Sequence, residues 1–437
     1  MSPTKPSRSD DVLASDVLLS FVSHTRPRES ITAILLTVNV FLLLCAYYLL
    51  KVAREPLILL HGGAEVKSYA SAGQAALLIL VNYAYAALAR RMNRLRLITS
   101  VTGFFIVNLV GFAALAALHA PIGVPFYLWV GIFNLTMVAQ FWSFAADIYD
   151  EESGKRMFPI LGVGSSVGAL AGTTLEKAGH FGEPTLMLCS AGILCICLAL
   201  TVAVDRREAG RDRTGKAKQH FGPESGFTLL LRDRYLILIG VFVLVFNFVN
   251  NTGEYILDRT LTAAAATQVD AHAYVREFKA SYFGWYNGIG LALQVFVVSR
   301  IIRYLGVRVA LFIVPAFSLL SYGMVSVAPI LALVFIAKVA DNSLDYSLQN
   351  TARNALWLVA ERDAKYKAKQ VVDTFLVRFG DVLAAGLVFI GTAVGFATRT
   401  FALVNTALVI VWIIVLIPLA RLHRAREVEA AATKKAA

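Results

Sequence analysis

The feature that leaves this chain the fewest options is a succession of apolar blocks, many close to the about 20 residues a helix needs to cross a bilayer core of roughly 30 Å. The first, from Ile31 to Leu50, follows a polar N-terminal stretch that carries Asp10, Asp11, Asp16 and Glu29. It is too long for a signal-peptide core and has no small-residue cleavage site, so it reads as a first transmembrane helix. Hydrophobic residues make up 57% of the 437 residues and charged residues only 16%, with a mean hydropathy of +0.65. That is too little charge to cover the surface of a soluble domain of this length. The expected fold class is an all-α membrane protein, and a soluble enzyme is excluded.

Spans are expected at 31–56, 70–89, 97–118, 125–146, 158–177, 184–204, 235–257, 280–299, 307–326, 329–349, 371–394 and 400–420. They divide the chain into a cytoplasmic N-terminal tail (1–30), a six-helix half (31–204), a polar linker (205–229), a second six-helix half (230–421) and a C-terminal tail (422–437). The linker, DRREAGRDRTGKAKQHFGPESG at its core, has no periodic apolar face and reads as solvated. Charge placement tests the arrangement. With both termini inside, only Lys67, Lys177, Arg259, Arg276, Lys279 and Arg399 of the 41 Lys and Arg fall in outer loops. Arg90, Arg91, Arg94 and Arg96, the linker, and Arg300 and Arg303 all fall on the cytoplasmic side, as the positive-inside rule requires. The net charge of +12 is therefore topogenic, and no basic, aromatic-interleaved surface for nucleic acid stands apart from it. Two pseudo-symmetric six-helix halves form the organisation of the major facilitator superfamily, in which substrate binds near the midplane between the halves.

Charge inside a span is costly, so each instance is a candidate for function. Lys51, Arg54 and Glu55 in YYLLKVAREPL share one helix face through spacings of three and four. From spacing alone they line a cavity or anchor the helix end at the interface, with equal weight. Lys338, Asp341 and Asp345 form a stripe in AKVADNSLDYSLQNTARNAL, extended by Asn342 and Arg353. A lipid-facing helix cannot carry that stripe, so it faces the bundle interior. Arg378 and Asp381 are three apart in VVDTFLVRFGDVLAAG and read as a structural or gating pair. Glu254 and Asp258, after Asn250 and Asn251, read as a broken polar helix end of the kind that lines transporter sites.

Other motifs point away from catalysis. Gly164, Gly168 and Gly172 recur every four residues and read as a groove for a second helix. They are not a nucleotide loop, since no strand precedes them and no Gly-Lys-Ser/Thr follows. The seven histidines are expected in tails, loops or span ends, and none lies beside a nucleophile motif. Cys45, Cys189, Cys195 and Cys197 fall within spans without a histidine cluster, so neither a disulfide framework nor a metal site is expected. No Walker lysine is present to drive transport by ATP hydrolysis, and no cofactor is expected.

Three segments resemble a known family. YYLLKVAREPLILLHGGAE, AQFWSFAADIYDEESGKRMFPILGVGSSVGA and KYKAKQVVDTFLVRFGD are similar to the ATP/ADP translocases, the nucleotide exchangers of plastids and intracellular bacteria. The resemblance covers roughly residues 31 to 420, and its FWSFA, KRMFP and KYKAKQVVD elements are the specific ones. It implies a carrier that exchanges nucleotides, with cations receiving the phosphates. Position by position, the basic-acidic pair of the first span falls on Arg54 and Glu55, the cytoplasmic basic pair on Lys155 and Arg156, the acid of span seven on Glu254, and the lysines before span eleven on Lys367 and Lys369. The chain departs from the exchangers in having Arg54 where they carry lysine, and Arg and Lys are not equivalent in a phosphate site.

The resulting expectation is a carrier of nucleotides or related phosphorylated anions in a bacterial inner membrane, monomeric and partnered by lipid and a small anion. Lys51, Arg54 and Glu55, with Lys338 and Arg353 from the opposite half, are the expected substrate contacts. Glu254, Asp341, Asp345, Arg378 and Asp381 are the expected gating or coupling groups. In-span acids are as numerous as bases, which also fits a proton-coupled carrier of another solute that uses Asp341 or Glu254 as its protonation site. A membrane module that senses a ligand or anchors a partner without moving anything is the remaining alternative.

Overall fold

A computed structural model of the chain describes residues 30–149, 151–179, 181–208, 225–361 and 363–436. The expected N-terminal tail and the centre of the linker lie outside the described residues, as do the side chains of Lys155 and Arg156. The described residues are almost wholly helical. Helices α1 (Ser30–Arg91), α2 (Arg94–Ala117), α3 (Gly123–Ile148), α4 (Glu151–Gly179) and α5 (Glu183–Arg207) precede a short α6 (Gly226–Arg232). Then come α7 (Arg234–Ala265), α8 (Ala271–Leu293), α9 (Ser299–Val327), α10 (Leu331–Leu344), α11 (Asn350–Leu356), α12 (Val377–Ala393) and α13 (Thr398–Ala436).

The sequence spacing explains the first helix. Ala33, Leu36, Val40, Leu43, Ala46, Leu50, Ala53 and Leu57 recur at intervals of three and four and are all buried, forming one apolar stripe on the core side. Pro56 removes a backbone donor inside α1, and Gly63 breaks its helical geometry at φ 75°, ψ 178°, a conformation essentially reserved for glycine. Gly306 does the same in α9 at φ 78°, ψ 165°. Among the described residues, nine helical runs are long and apolar enough to cross a membrane, and the runs containing Gly63 and Gly306 are the longest, at 61 and 57 residues. The run from Leu331 to Leu356 is not among the nine; it carries Lys338, Asp341, Asp345 and Arg353.

Close packing holds the first helices together. The glycines of α4 face α1 in register: a Cβ at Gly164 would stand 2.7 Å from Thr37 Cγ2, one at Gly168 would overlap the Phe41 carbonyl, and one at Gly172 would stand 2.5 Å from the Cys45 carbonyl. Both helices advance four residues per contact, so small side chains bring the backbones together. Helix α1 also meets α7, α8 and α12, and α4 packs on α8, so both helices join the earlier part of the chain to the later one.

Three expectations need correction. The segment with Asn250, Asn251, Glu254 and Asp258 is no broken end, because α7 runs through it unbroken to Ala265. Among the described residues, irregularity lies instead in four π-helical turns, Gln294–Val298, Asp345–Gln349, Ala364–Ala368 and Val372–Leu376. The end of the linker is helical and packed: a Cβ at Gly226 would stand 2.5 Å from the Lys367 carbonyl. The expected C-terminal tail continues α13, with His423 buried against Tyr235 (rings stacked, centroids 6.1 Å apart) and Arg426 Nη2 2.8 Å from both Asp233 carboxylate oxygens.

Candidate functional site

A cavity of about 210 Å³ lies where α1 meets α3, α7, α8, α10 and α12. Three charged clusters and an aromatic wall surround it.

The first cluster centres on Glu55, which is fully buried. Arg54 Nε stands 3.1 Å from Glu55 Oε1, Lys67 Nζ 2.5 Å from Oε2, and Lys279 Nζ 3.7 Å from Oε2. Lys67 and Lys279 also share Asp258, at 2.8 and 2.5 Å. Two arms of α1, either side of Gly63, are thereby tied to α7 and α8. A carboxylate taken out of water needs compensation of this order. Nearby, Arg276 of α8 binds Glu176 at 3.0 Å and Glu183 at 3.2 Å, joining α8 to α4 and α5.

The second cluster belongs to α7, α8, α9 and α10. Lys338 is fully buried, and its Nζ lies 2.7 Å from Asn250 Oδ1, 3.2 Å from Asn342 Oδ1, 3.4 Å from Glu254 and 3.5 Å from Asp341. Tyr282 OH and Asn342 Nδ2 donate to Glu254 at 2.5 and 3.0 Å, while Ser318 and Tyr322 donate to Asp341. In the third cluster Asp381 accepts from Arg378 at 2.9 Å, Asn251 at 2.6 Å and Asn247 at 2.8 Å.

Lys51 differs from all of these. Its ammonium donates to Tyr286 OH at 2.8 Å and lies 5.1, 4.4 and 5.5 Å from the ring centroids of Tyr48, Phe283 and Tyr286. Among the described residues no carboxylate pairs with it. Aromatic faces attract the cation without neutralising it. Arg54 is half committed: Nε serves Glu55 and the guanidinium lies 4.6 Å from the Tyr127 ring centre, while neither terminal amine has a hydrogen bond to a described residue. Tyr286 and Tyr346 stack at 5.3 Å and 9°, and Tyr346 is half-exposed along the cavity.

The structure thus brings Lys51, Arg54, Glu55, Glu254 and Asp381 to the cavity wall, with Arg378 and Asp341 immediately behind. Lys338 is not on the wall, because Asn250, Glu254 and Asp341 enclose it. Arg353 is remote from the wall; its contact is Asn350 at 3.4 Å. Asp345 sits in a π-helical turn and has neither a hydrogen-bond nor an ion-pair partner among the described residues. Lys367 and Lys369 lie away from the cavity and pair with Asp363 at 3.6 Å and Asp373 at 2.5 Å. Sequence reasoning missed Lys67 and Lys279, which it placed in outer loops. The signal available was their position beside Glu65 and Glu277, unusual for short loops, but nothing local says which acid each would meet.

The helical bundle around this polar, charge-lined cavity has the fold of solved transporters. The same fold appears in a point mutant of the nucleoside transporter NupG (TM-score 0.64, 11% identity, 90% of this chain and 99% of that one) and in a POT family transporter bound to 5-aminolevulinic acid (TM-score 0.63, 15% identity, 88% and 95%). The protein is an integral, multi-pass membrane protein. Its residues 126–423 match the TLC ATP/ADP transporter family, and the chain belongs to that family. It is similar to ADP,ATP carrier protein 1 of Chlamydia trachomatis, 22% identical over 335 residues, which are 66% of this chain and 63% of the relative. It is also similar to ADP,ATP carrier protein 4 of Rickettsia bellii, 23% identical over 304 residues, 59% and 58% of the two chains. The match therefore spans less than two thirds of either relative.

Proposed function

We propose that the chain is a secondary transporter that exchanges nucleotides or related phosphorylated anions by alternating access. The reading takes twelve spans in two six-helix halves, and three observations support it: the kinks at Gly63 and Gly306 divide two of the nine apolar runs among the described residues, and Leu331–Leu356 is long enough to be a further span. In this reading the halves are residues 31–204 and 230–421, the membrane is a bacterial inner membrane, and both termini are cytoplasmic, as the basic loops favour.

The observation that carries the function is the pairing state of the cations. Lys51 has no carboxylate, and Arg54 keeps two amines for a ligand, so an anion entering the cavity meets charge that the protein leaves unneutralised. A nucleobase has Tyr346 to stack on. Lys338, by contrast, is held by its own acids and acts as a structural anchor of its half rather than as a phosphate contact.

The ion pairs that join the two halves, Lys67–Asp258, Lys279–Glu55 and Arg276 with Glu176 and Glu183, all involve helical cations that this topology puts toward the outer face. Pairs near the cytoplasmic ends, Arg94–Asp205 and Arg426–Asp233, stay within one half. This is the pattern of a state closed outside and free to open inside, with Glu254, Asp341, Arg378 and Asp381 fixing the helices that rock.

Uptake of labelled adenine nucleotides into proteoliposomes, with and without nucleotide inside, tests the reading. Uptake that requires internal nucleotide and fails in Arg54→Ala is the expected result. Folded protein that moves no nucleotide in any pairing would end it. The second reading, a proton-coupled carrier, is favoured by one observation: Asp345 is an unpartnered acid beside the cavity residue Tyr346. Uptake that collapses with an uncoupler and needs no internal nucleotide would select it, and Asp345, not Asp341 or Glu254, would then be the group to test.

A further inference from the structure

Two histidines meet at the outer rim, beside the ion pairs of Arg276. His61 stands in α1 just before Gly62 and Gly63, and His272 in the first turn of α8. Their rings are 5.9 Å apart, edge to face. His61 Nδ1 lies 3.1 Å from the Leu57 carbonyl, which can only accept, so Nδ1 carries the proton of the neutral ring. His272 Nδ1 lies 3.4 Å from Glu183 Oε1, the oxygen that Arg276 also holds at 3.2 Å. A histidine of the later part of the chain thus leans on an acid of the earlier part.

The groups that face His272 are Glu183 from α5, His61 from α1, and Arg276 and Asp270 beside it in sequence; Glu176 of α4 stands beyond Arg276. On the α7 and α10 side the packing is apolar, through Leu261, Ala265 and Leu331. The His272 side chain is 43% exposed and precedes the expected span 280–299, so water reaches it. The Glu183 carboxylate beside Nδ1 raises its pKa above the usual value of 6.5. When the halves part, that carboxylate is withdrawn and the usual value returns. The closed rim therefore binds the proton more tightly than the open one. The preference is fully present below the open-state value and is lost as pH rises through the raised one. His61 works against it, because a second charged ring beside His272 repels the first.

His272 and Glu183 are also separate from the cavity, whose wall includes neither. A proton taken up at the rim can act on the gate without being carried with the solute.

Resting on the outside-closed, alternating-access reading above, we infer that His272 and Glu183 form a proton-sensitive latch on the outer gate, which a proton from the outer compartment holds shut and its loss releases.

The test reads the gate directly. Spin labels at Leu118→Cys and Val269→Cys, exposed positions in outer loops of the two halves, report their separation in the full chain, with the exposed Cys189 and Cys195 replaced by alanine. Acidification from about pH 8 to about pH 6 brackets a histidine's titration. It is expected to raise the ratio of short to long separations by about two- to fivefold, the range an exposed ion pair supports. His272→Gln and Glu183→Gln should each flatten that pH dependence, whatever they do to the ratio itself, and His61→Gln should steepen it. A wild-type ratio unmoved by pH overturns the inference, as does a dependence that survives His272→Gln. Opening on acidification also overturns it, by showing that repulsion between His61 and His272 outweighs Glu183. Labelled nucleotide exchange in proteoliposomes is measured alongside. A pH-dependent gate in a protein that moves no nucleotide would end the nucleotide reading and leave the latch standing.

Discussion

At the scale of single residues, what distinguishes the cavity is which charges lack a partner. A hydrogen bond to a charged group contributes about 1.5–3 kcal/mol, so Lys51→Met should weaken phosphorylated ligands by roughly 10- to 100-fold, read from the midpoint of ligand-dependent stabilisation. Unchanged binding would remove Lys51 from the site. Glu55 has the opposite character. Its carboxylate satisfies three cations, and neutralising one member of such a buried network costs about 3–5 kcal/mol. Glu55→Gln should lower the melting temperature in detergent markedly, whereas Lys51→Met should lower it little. A Glu55→Gln protein as stable as wild type would contradict the burial argument. The same contrast explains why spacing alone left Lys51, Arg54 and Glu55 divided between cavity lining and interfacial anchoring. Spacing gives a shared face, and only burial shows that the face is turned inward.

At the scale of elements, the helices obey what the sequence prescribes wherever the signal is periodic. The apolar stripe of α1 and the four-residue glycine repeat of α4 are local patterns, and both appear as packed faces. Overpacking a close helix contact costs typically about 1–3 kcal/mol. Gly168→Leu, whose Cβ would meet the Phe41 backbone, should therefore destabilise the fold by about that much, while Gly192→Leu, with open space around it, should not. Equal melting temperatures for the two variants would show that α4 does not pack on α1 in this way. Where the sequence misled, the signal was composition without periodicity. Asparagines and acids in α7 resemble a helix break, yet each finds a partner on another helix: Asn250 binds Lys338, Asn251 binds Asp381, and Asp258 binds Lys67 and Lys279. With those groups satisfied, α7 has no reason to unwind.

At the scale of the whole molecule, the question is how the two parts of the chain are held and released. The bridge from Lys67 to Asp258 spans nearly two hundred residues of sequence and closes one side of the cavity. Reversing one charge, in Asp258→Lys, should add a fourth cation to the three around Glu55 and abolish exchange. Adding Lys67→Asp restores one opposite-charge contact, and exchange in proteoliposomes should recover in part. Failure of the double variant to exceed the single one would argue that the pair does not act across the interface. In the proposed alternating-access cycle this connection must break each time, which is why pairing among several cations, each replaceable by another, suits a gate better than one isolated bond.

The sequence by itself determined that the chain is a helical membrane protein, roughly where its helices run, and which polar residues must turn away from lipid. Hydrophobicity and helical period are local properties, written within about twenty residues of one another. It also carried the family, through motifs in several helices. Which cation neutralises which acid was decided only by the tertiary structure. Lys67 and Lys279, read locally, are loop charges; folded, they enclose Glu55 and Asp258. Lys338 and Lys51 look alike in the sequence, each a lysine in an apolar run, but acids surround one and aromatic rings the other. Charge interactions depend on distance in space and on the exclusion of water, and neither is encoded at any fixed spacing along the chain.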